Sequence, residues 1–252
     1  MRRLHFVVTI LISFILSSCA DEPSTAAHNT DRHQAMQLAI SSIEYDLYVD
    51  DRVKASTHVE IWAHLLNTCD TEYCMEDEMQ VQALVRNIAA YHRTVTGGSQ
   101  ELALERLRML KAQFMNLNTT DNVETYLYDV WRYEEEMYYA TKAAMDPMLD
   151  LYDWGEFEAM VICLNQLWDR VRRHYPSQQL LHNDQLAYRI QTVAKAELLQ
   201  SMKKFNDAVS DEDYHTDQLS ESASSLRSSY IGYLMTIVSY EYEMKGSFLV
   251  GL

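Results

Sequence analysis

Ser99-Gln100-Glu101-Leu102-Ala103-Leu104-Glu105-Arg106-Leu107-Arg108-Met109-Leu110-Lys111-Ala112-Gln113-Phe114-Met115-Asn116-Leu117 is the stretch that decides the fold class. Leu104, Leu107, Leu110 and Phe114 recur at intervals of three and four, which places them on one face of an α-helix. Ser99, just before the run, is a residue type that caps helix N-termini. Gly97-Gly98 before it ends a preceding helix. The same period continues on both sides. Upstream, residues 32–67 carry Met36, Ile40, Ile43 and Leu47, then Ile61 and Leu65. Asp50-Asp51 marks either a break there or an exposed turn of one continuous helix. Residues 76–95 carry Val81, Leu84, Val85, Ile88 and Tyr91 along one side.

Downstream, helices are expected over 122–145, 156–175, 183–207 and 216–244. Pro147 and Pro176 stop the first two of these. Within 183–207 the spaced apolar residues are Leu186, Ile190, Val193, Leu198 and Met202. No stretch alternates as a half-buried strand does. Six glycines and three prolines in 252 residues leave few turns. The expectation is an all-α chain of about seven helices, an antiparallel helical bundle or stacked helical hairpins. The second arrangement has one support. Leu104/Leu107/Leu110/Phe114 superposes on Val161/Leu164/Leu167/Val171, 57 residues on, and again on Ala223/Leu226/Ser229/Tyr233.

The N-terminus reads differently. Met1-Arg2-Arg3 is a positive start, Phe6 to Leu16 an apolar run, and Leu16-Ser17-Ser18-Cys19 a small-residue ending. This is the layout of a secretory signal peptide. The run is too short for a membrane span, which needs about 20 residues. The ending resembles the lipobox of bacterial lipoproteins. That resemblance implies cleavage before Cys19, which then carries a thioether-linked diacylglycerol and an amide-linked acyl chain. Two or more chains hold a protein stably at a bilayer. It also implies a lean toward the outer membrane, because Ala20 stands where an inner-membrane lipoprotein often has aspartate. The expected organisation is a signal peptide over 1–18, a lipidated flexible tether over 19–31 and a single helical domain over 32–252.

The chain has a net charge of −16, and losing Arg2 and Arg3 with the signal takes it to −18. Such a surface repels nucleic acid and attracts cations or a basic protein. Outside the cytoplasm, Cys69 and Cys74 are candidate disulfide partners across a helix-to-helix turn, while Cys163 lies in an apolar run as a free thiol.

Three groups carry candidate chemistry. His58, Glu60 and His64 share one helix, and Glu60 and His64 are four apart, a spacing that suits a divalent metal with a third ligand from elsewhere. The one Glu-x-x-His, Glu212 to His215, falls in a loop. Glu134 falls within the stripe Leu127, Val130, Met137 and Thr141. It marks a polar site inside the bundle, unless that stripe is rotated and Glu134-Glu135-Glu136 is a solvated run. Tyr126, Tyr128, Trp131, Tyr133, Tyr138 and Tyr139 surround the same helix on several sides, so some are expected to be exposed or to line a groove, unless they pack as large core residues between helices. Trp131 and Tyr138 with Glu134 form a candidate polar or ligand site. No Cys-x-x-Cys-His, Gly-x-Ser-x-Gly, phosphate-cradling glycine loop or His-Glu-x-x-His occurs. The functional expectation is a non-catalytic envelope lipoprotein. It would act as a binding or scaffold module for a protein or cationic partner, an inhibitor or immunity-type protein included, with no cofactor. The alternative is a metal- or cofactor-binding helical bundle.

Overall fold

The computed structural model describes residues 25–68, 78–117, 125–146, 154–173, 185–210 and 216–244. Among them every element is an α-helix: α1 (Thr25–Tyr48), α2 (Arg52–Asn67), α3 (Glu78–Gly97), α4 (Gln100–Leu117), α5 (Thr125–Ala144), α6 (Trp154–Arg173), α7 (Gln185–Val209) and α8 (Thr216–Met244). Cys19, Cys69, Cys74, Glu212, His215 and the apolar tail 246–252 lie outside the described residues. The first helix begins at Thr25, inside the stretch 19–31 expected as a tether. Among the described residues no helix is long and apolar enough to cross a membrane.

The helices close into two rings. α1 packs on α2, α2 on α3, α3 on α4, and α4 returns to α1; α5, α6, α7 and α8 repeat the pattern, with α8 returning to α5. Open stacks of hairpins lack such closing contacts, so the arrangement is a pair of four-helix bundles. Cross-links fix the antiparallel sense. Between α3 and α4, Asn87 donates to Gln113 and Arg106 to Thr94. Between α6 and α7, Asn165 meets Asn206 while Lys195 donates to the Val171 carbonyl. The bundles abut along α1·α8 and α4·α5.

Of the two readings of Asp50-Asp51, the break holds, and residues 32–67 lie on two helices. Asp50 adopts φ 58°, a left-handed conformation that aspartate tolerates better than most residues. Asp51 then caps α2 by accepting from the Lys54 amide at 3.1 Å. Arg52 donates to the Val95 and Gly98 carbonyls, which ties this turn to the one between α3 and α4. Ser99 caps α4 through the Leu102 amide, as its type suggests. Gly98 serves that turn by its lack of a side chain. A Cβ there would stand 2.7 Å from the Thr94 carbonyl oxygen, and no described glycine has positive φ.

Each bundle has its own apolar core. The first gathers Ile40, Ile43, Trp62, Ile88, Leu107 and Phe114; the second gathers Leu127, Phe157, Leu164, Leu198, Phe205 and Leu226. Trp131 of α5 belongs to the first core and Leu38 of α1 to the second, so each bundle reaches into its neighbour. On α7 the buried row is Gln191, Ala194, Leu198, Met202 and Phe205. Leu186, Ile190 and Val193 form the next row around the helix and are 64, 48 and 59 % exposed. The spaced apolar residues Leu186 through Met202 therefore fall on two rows of one helix.

Candidate functional site

Where the bundles meet, α1, α4, α5 and α8 form a third ring of contacts, and its centre is charged. α1 brings Glu44 and Tyr48, α4 brings Arg108 and Lys111, α5 brings Glu134 and α8 brings Tyr230. Glu44, Arg108, Lys111 and Glu134 are all 4 % exposed or less. Helical period places them there. Arg108 and Lys111 follow Leu104 and Leu107 at steps of four on the buried face of α4. Glu44 extends the second buried row of α1, Gln37-Ser41-Glu44, beside the row Met36-Ile40-Ile43-Leu47.

Two carboxylates face two cations. Arg108 binds Glu134 with Nε at 3.2 Å from both oxygens and Nη2 at 2.5 Å from Oε1. This side-on pairing is the strong form of the Arg–carboxylate bond. Tyr48 Oη donates to the same oxygen at 2.6 Å. Lys111 Nζ lies 2.5 Å from Glu44 Oε2 and 3.5 Å from Glu134 Oε2, bridging the two acids. Tyr230 Oη donates to Glu44 Oε1 at 3.1 Å. The Arg108 Nη1 and Tyr91 Oη atoms, both buried, have no hydrogen-bond partner.

The two acids titrate apart. Burial pushes the Glu44 carboxyl up to about 7, with Lys111 opposing and the Glu134 charge adding to the rise. Burial also works to raise Glu134, but the charges of Lys111 and Arg108 and the hydrogen bonds from Arg108 and Tyr48 outweigh it and hold that carboxyl below its ordinary range. On α1, burial pushes the His33 imidazole down to about 4. It stacks on Phe114 at 5.2 Å.

These shifts set opposed pH dependences. Glu44 binds its proton more tightly when folded, so its favourable contribution is present below the ordinary 4.5 and fades as pH rises to about 7. His33 is buried neutral, so stability is lost as pH falls from 6.5 toward 4. Between 4.5 and 6.5 the two slopes cancel. Urea melts are expected to show the stability of Glu44→Gln rising with pH across that window and that of His33→Gln falling. Each slope approaches about 1.4 kcal/mol per pH unit. Variant slopes equal to that of the parent chain would refute the assignment.

The residues singled out from sequence are distributed unevenly. Glu134, Trp131 and Tyr138 are all buried on α5. Trp131 Nε1 donates to Ser41 Oγ at 3.0 Å, and Tyr138 Oη to Glu101 at 3.1 Å. α5 buries five of its six aromatic residues wholly or partly because it packs on both bundles, and only Tyr139, 43 % exposed, projects outward. The set His58, Glu60 and His64 is not brought together. His58 shares the buried row of α2 with Ala55, Val59 and Trp62, and its Nδ1 sits 2.6 Å from Asp46 Oδ2. Glu60 and His64 lie on the exposed face. Among the described residues no three His, Cys, Asp or Glu side chains are grouped to hold a metal ion.

Glu60 instead meets His92 Nε2 at 3.3 Å, and Ser56 Oγ meets the same nitrogen at 2.8 Å. With both partners on one ring nitrogen, the imidazole cannot pass a proton from serine to carboxylate as a nucleophilic triad requires. Cys163 is a half-buried free thiol packed beside the second core.

An open groove of about 740 Å³ runs between α6 and α7, within the size range of small-ligand sites. These two neighbours pack against each other far less than the other pairs of their bundle. Asn165 and Asn206 exchange amide hydrogen bonds at 3.1 and 2.8 Å across it. Ile162 and Leu199 stand exposed along it, while Arg172 pairs with Asp169 at 2.9 Å. Sequence reasoning did not find Glu44, Arg108, Lys111 or this groove. Arg108 and Lys111 interrupt an apolar face and Glu44 continues a polar row, so their burial is visible only once the neighbouring helix is known. Comparison with known proteins finds no matching family model, no matching curated protein and no matching solved structure.

Proposed function

We propose that the chain is a non-catalytic binding module of the bacterial cell envelope, tethered through lipidated Cys19 and engaging a protein partner along the α6–α7 groove. The observation that carries the reading is that open seam. Each neighbouring pair of the first bundle packs closely, whereas α6 and α7 of the second are loosely packed and leave apolar Ile162 and Leu199 exposed along their seam. Unfilled apolar grooves of this kind serve as docking surfaces. The central carboxylates, by contrast, are each paired with a buried cation. The net charge of −16 favours a basic partner. The lipobox-like ending, with Ala20 after Cys19, supports anchoring at the outer membrane.

A photo-crosslinking side chain at Leu199, in cells expressing the full chain, tests this. The expected result is one discrete protein adduct at Leu199 and none at exposed Glu221 on α8. It should be accompanied by fatty-acid labelling of the chain that Cys19→Ser abolishes. Equal or absent adducts at the two positions would defeat the groove as a docking surface, and labelling that survives Cys19→Ser would defeat the anchor.

A further inference from the structure

Tyr138 sits where the charged centre approaches the surface, and three cations gather on its ring. The Arg108 Cζ atom is 3.6 Å from the ring centroid, Arg227 Cζ 5.1 Å and Lys142 Nζ 5.7 Å. Ring quadrupoles attract each cation but leave the repulsion among them in place. Their carboxylate partners are unequally shared. Lys142 has Glu101 at 2.6 Å. Arg108 has Glu134, which Lys111 also draws on. Among the described residues Arg227 of α8 has neutral acceptors, with Nε on Thr141 Oγ1 at 2.5 Å and Nη2 on the Tyr138 carbonyl at 3.2 Å.

A second, independent observation points the same way. Arg108 is 4 % exposed, and its Nη1 has no hydrogen-bond partner. A buried guanidinium nitrogen without an acceptor is costly. Among the described residues, the carboxylates Glu44, Glu101 and Glu134 face the cations Arg108, Lys111, Lys142 and Arg227, so positive charge is in excess here in a chain whose net charge is −16. Burial, with Arg108 adding, holds the Arg227 guanidinium below its ordinary range.

We propose that Arg227 and Arg108, on the ring of Tyr138, seat a small oxyanion of the carboxylate or phosphate class. Guanidinium forks match such oxygens two at a time. Arg227 is half-buried, and the spare Nη1 of Arg108 supplies a second guanidinium donor beside the same ring. The bound anion would tie α4, α5 and α8 together at the junction of the two bundles. This site is separate from the α6–α7 groove and does not depend on it.

The test uses the full chain with inorganic phosphate and, separately, acetate, each against chloride at equal ionic strength. The expected result is a saturable rise in melting temperature, with saturable broadening of the phosphate phosphorus resonance. Arg227→Met should weaken apparent affinity about ten-fold or more, a loss of roughly 1.4 kcal/mol. Arg227→Lys, which keeps the charge and loses the fork, should recover part of it. Saturation by phosphate alone would assign a phosphate ligand, and saturation by acetate as well a carboxylate-accepting seat. Broadening that never saturates in the parent chain, or an equal response in parent and Arg227→Met, would overturn the proposal and leave Arg108 Nη1 satisfied by the Tyr138 ring face. If Arg227→Met does not fold, the parent titration and Arg227→Lys still decide.

Discussion

Glu134→Leu is expected to destabilise the chain by about 3–5 kcal/mol, the range found when one partner of a buried ion pair is removed. The substitution leaves Arg108 with no carboxylate at 4 % exposure and Tyr48 Oη without its acceptor, while Lys111 keeps Glu44. For a chain of this size the loss corresponds to a fall of roughly 10 °C in melting temperature. Arg108→Met in the same background is expected to restore most of it. The double variant removes both charges of the pair, and buried pairs are often replaceable by apolar side chains at little net cost. Lys111 and Glu44 then remain as a neutral pair with Tyr230 donating to the acid. Urea unfolding of the two single variants and the double supplies the coupling energy. Single losses that simply add would show that Glu134 and Arg108 act independently, and a neutral Glu134→Leu would contradict the buried placement altogether.

The pairing of Glu44 and Glu134 with Lys111 and Arg108 at this junction explains why the two bundles dock in one register. A slide of α4 by one turn against α1 or α5 would carry Arg108 or Lys111 about 5.4 Å from its carboxylate and strand all four charges in apolar surroundings. The flanking cores of leucine, isoleucine and aromatic side chains penalise such a slide far less, because apolar packing is non-directional. Apolar burial drives association, and the ionic centre selects among its outcomes.

Much of the fold was legible locally. α4 and α8 occupy the residues their periodicity marks, 100–117 and 216–244, and Ser99 caps as a serine before an apolar run should. Helix bounds were legible even at the junction of the bundles, but which polar residues are buried there was not. α1, α4, α5 and α8 all touch both bundles, so polar residues of α1, α4 and α5 fall on buried rows that a single amphipathic stripe cannot represent. Glu134 stood out only because it interrupted the row Leu127-Val130-Met137-Thr141. Glu44 did not, because Gln37 and Ser41 precede it and make its row look solvated. The histidine set failed for a related reason. His58 is four residues from the buried Trp62 and shares its row, while Glu60 and His64 are rotated to the far side of α2. The α6–α7 groove leaves no local trace, since it comes from the separation of two helices and not from the pattern of either.

Trp131→Ala is expected to cost about 3–5 kcal/mol, the range for deleting a large buried aromatic side chain, and the reason lies in its position between the bundles. Trp131 grows from α5, yet it belongs to the core formed by α1 to α4. Its ring lies 6.3 Å from Phe114 and 5.4 Å from Tyr128, and Lys111 Nζ is 5.7 Å from its centroid. Removing it opens a cavity beside the charged centre and takes away the ring that partly compensates the buried Lys111 charge. Trp131→Phe keeps most of the packing and is expected to cost about 1 kcal/mol, chiefly the bond from Nε1 to Ser41 Oγ. Ser41→Ala should cost more than the bond it removes, because it leaves that indole N–H buried without an acceptor. Adding Ser41→Ala to Trp131→Phe should therefore cost less than the two single losses together. Urea unfolding of this set reads the coupling directly. Losses that add, or a Trp131→Ala variant close to the parent in stability, would mean that the tryptophan does not join the bundles and that the α1·α8 and α4·α5 contacts hold them without it.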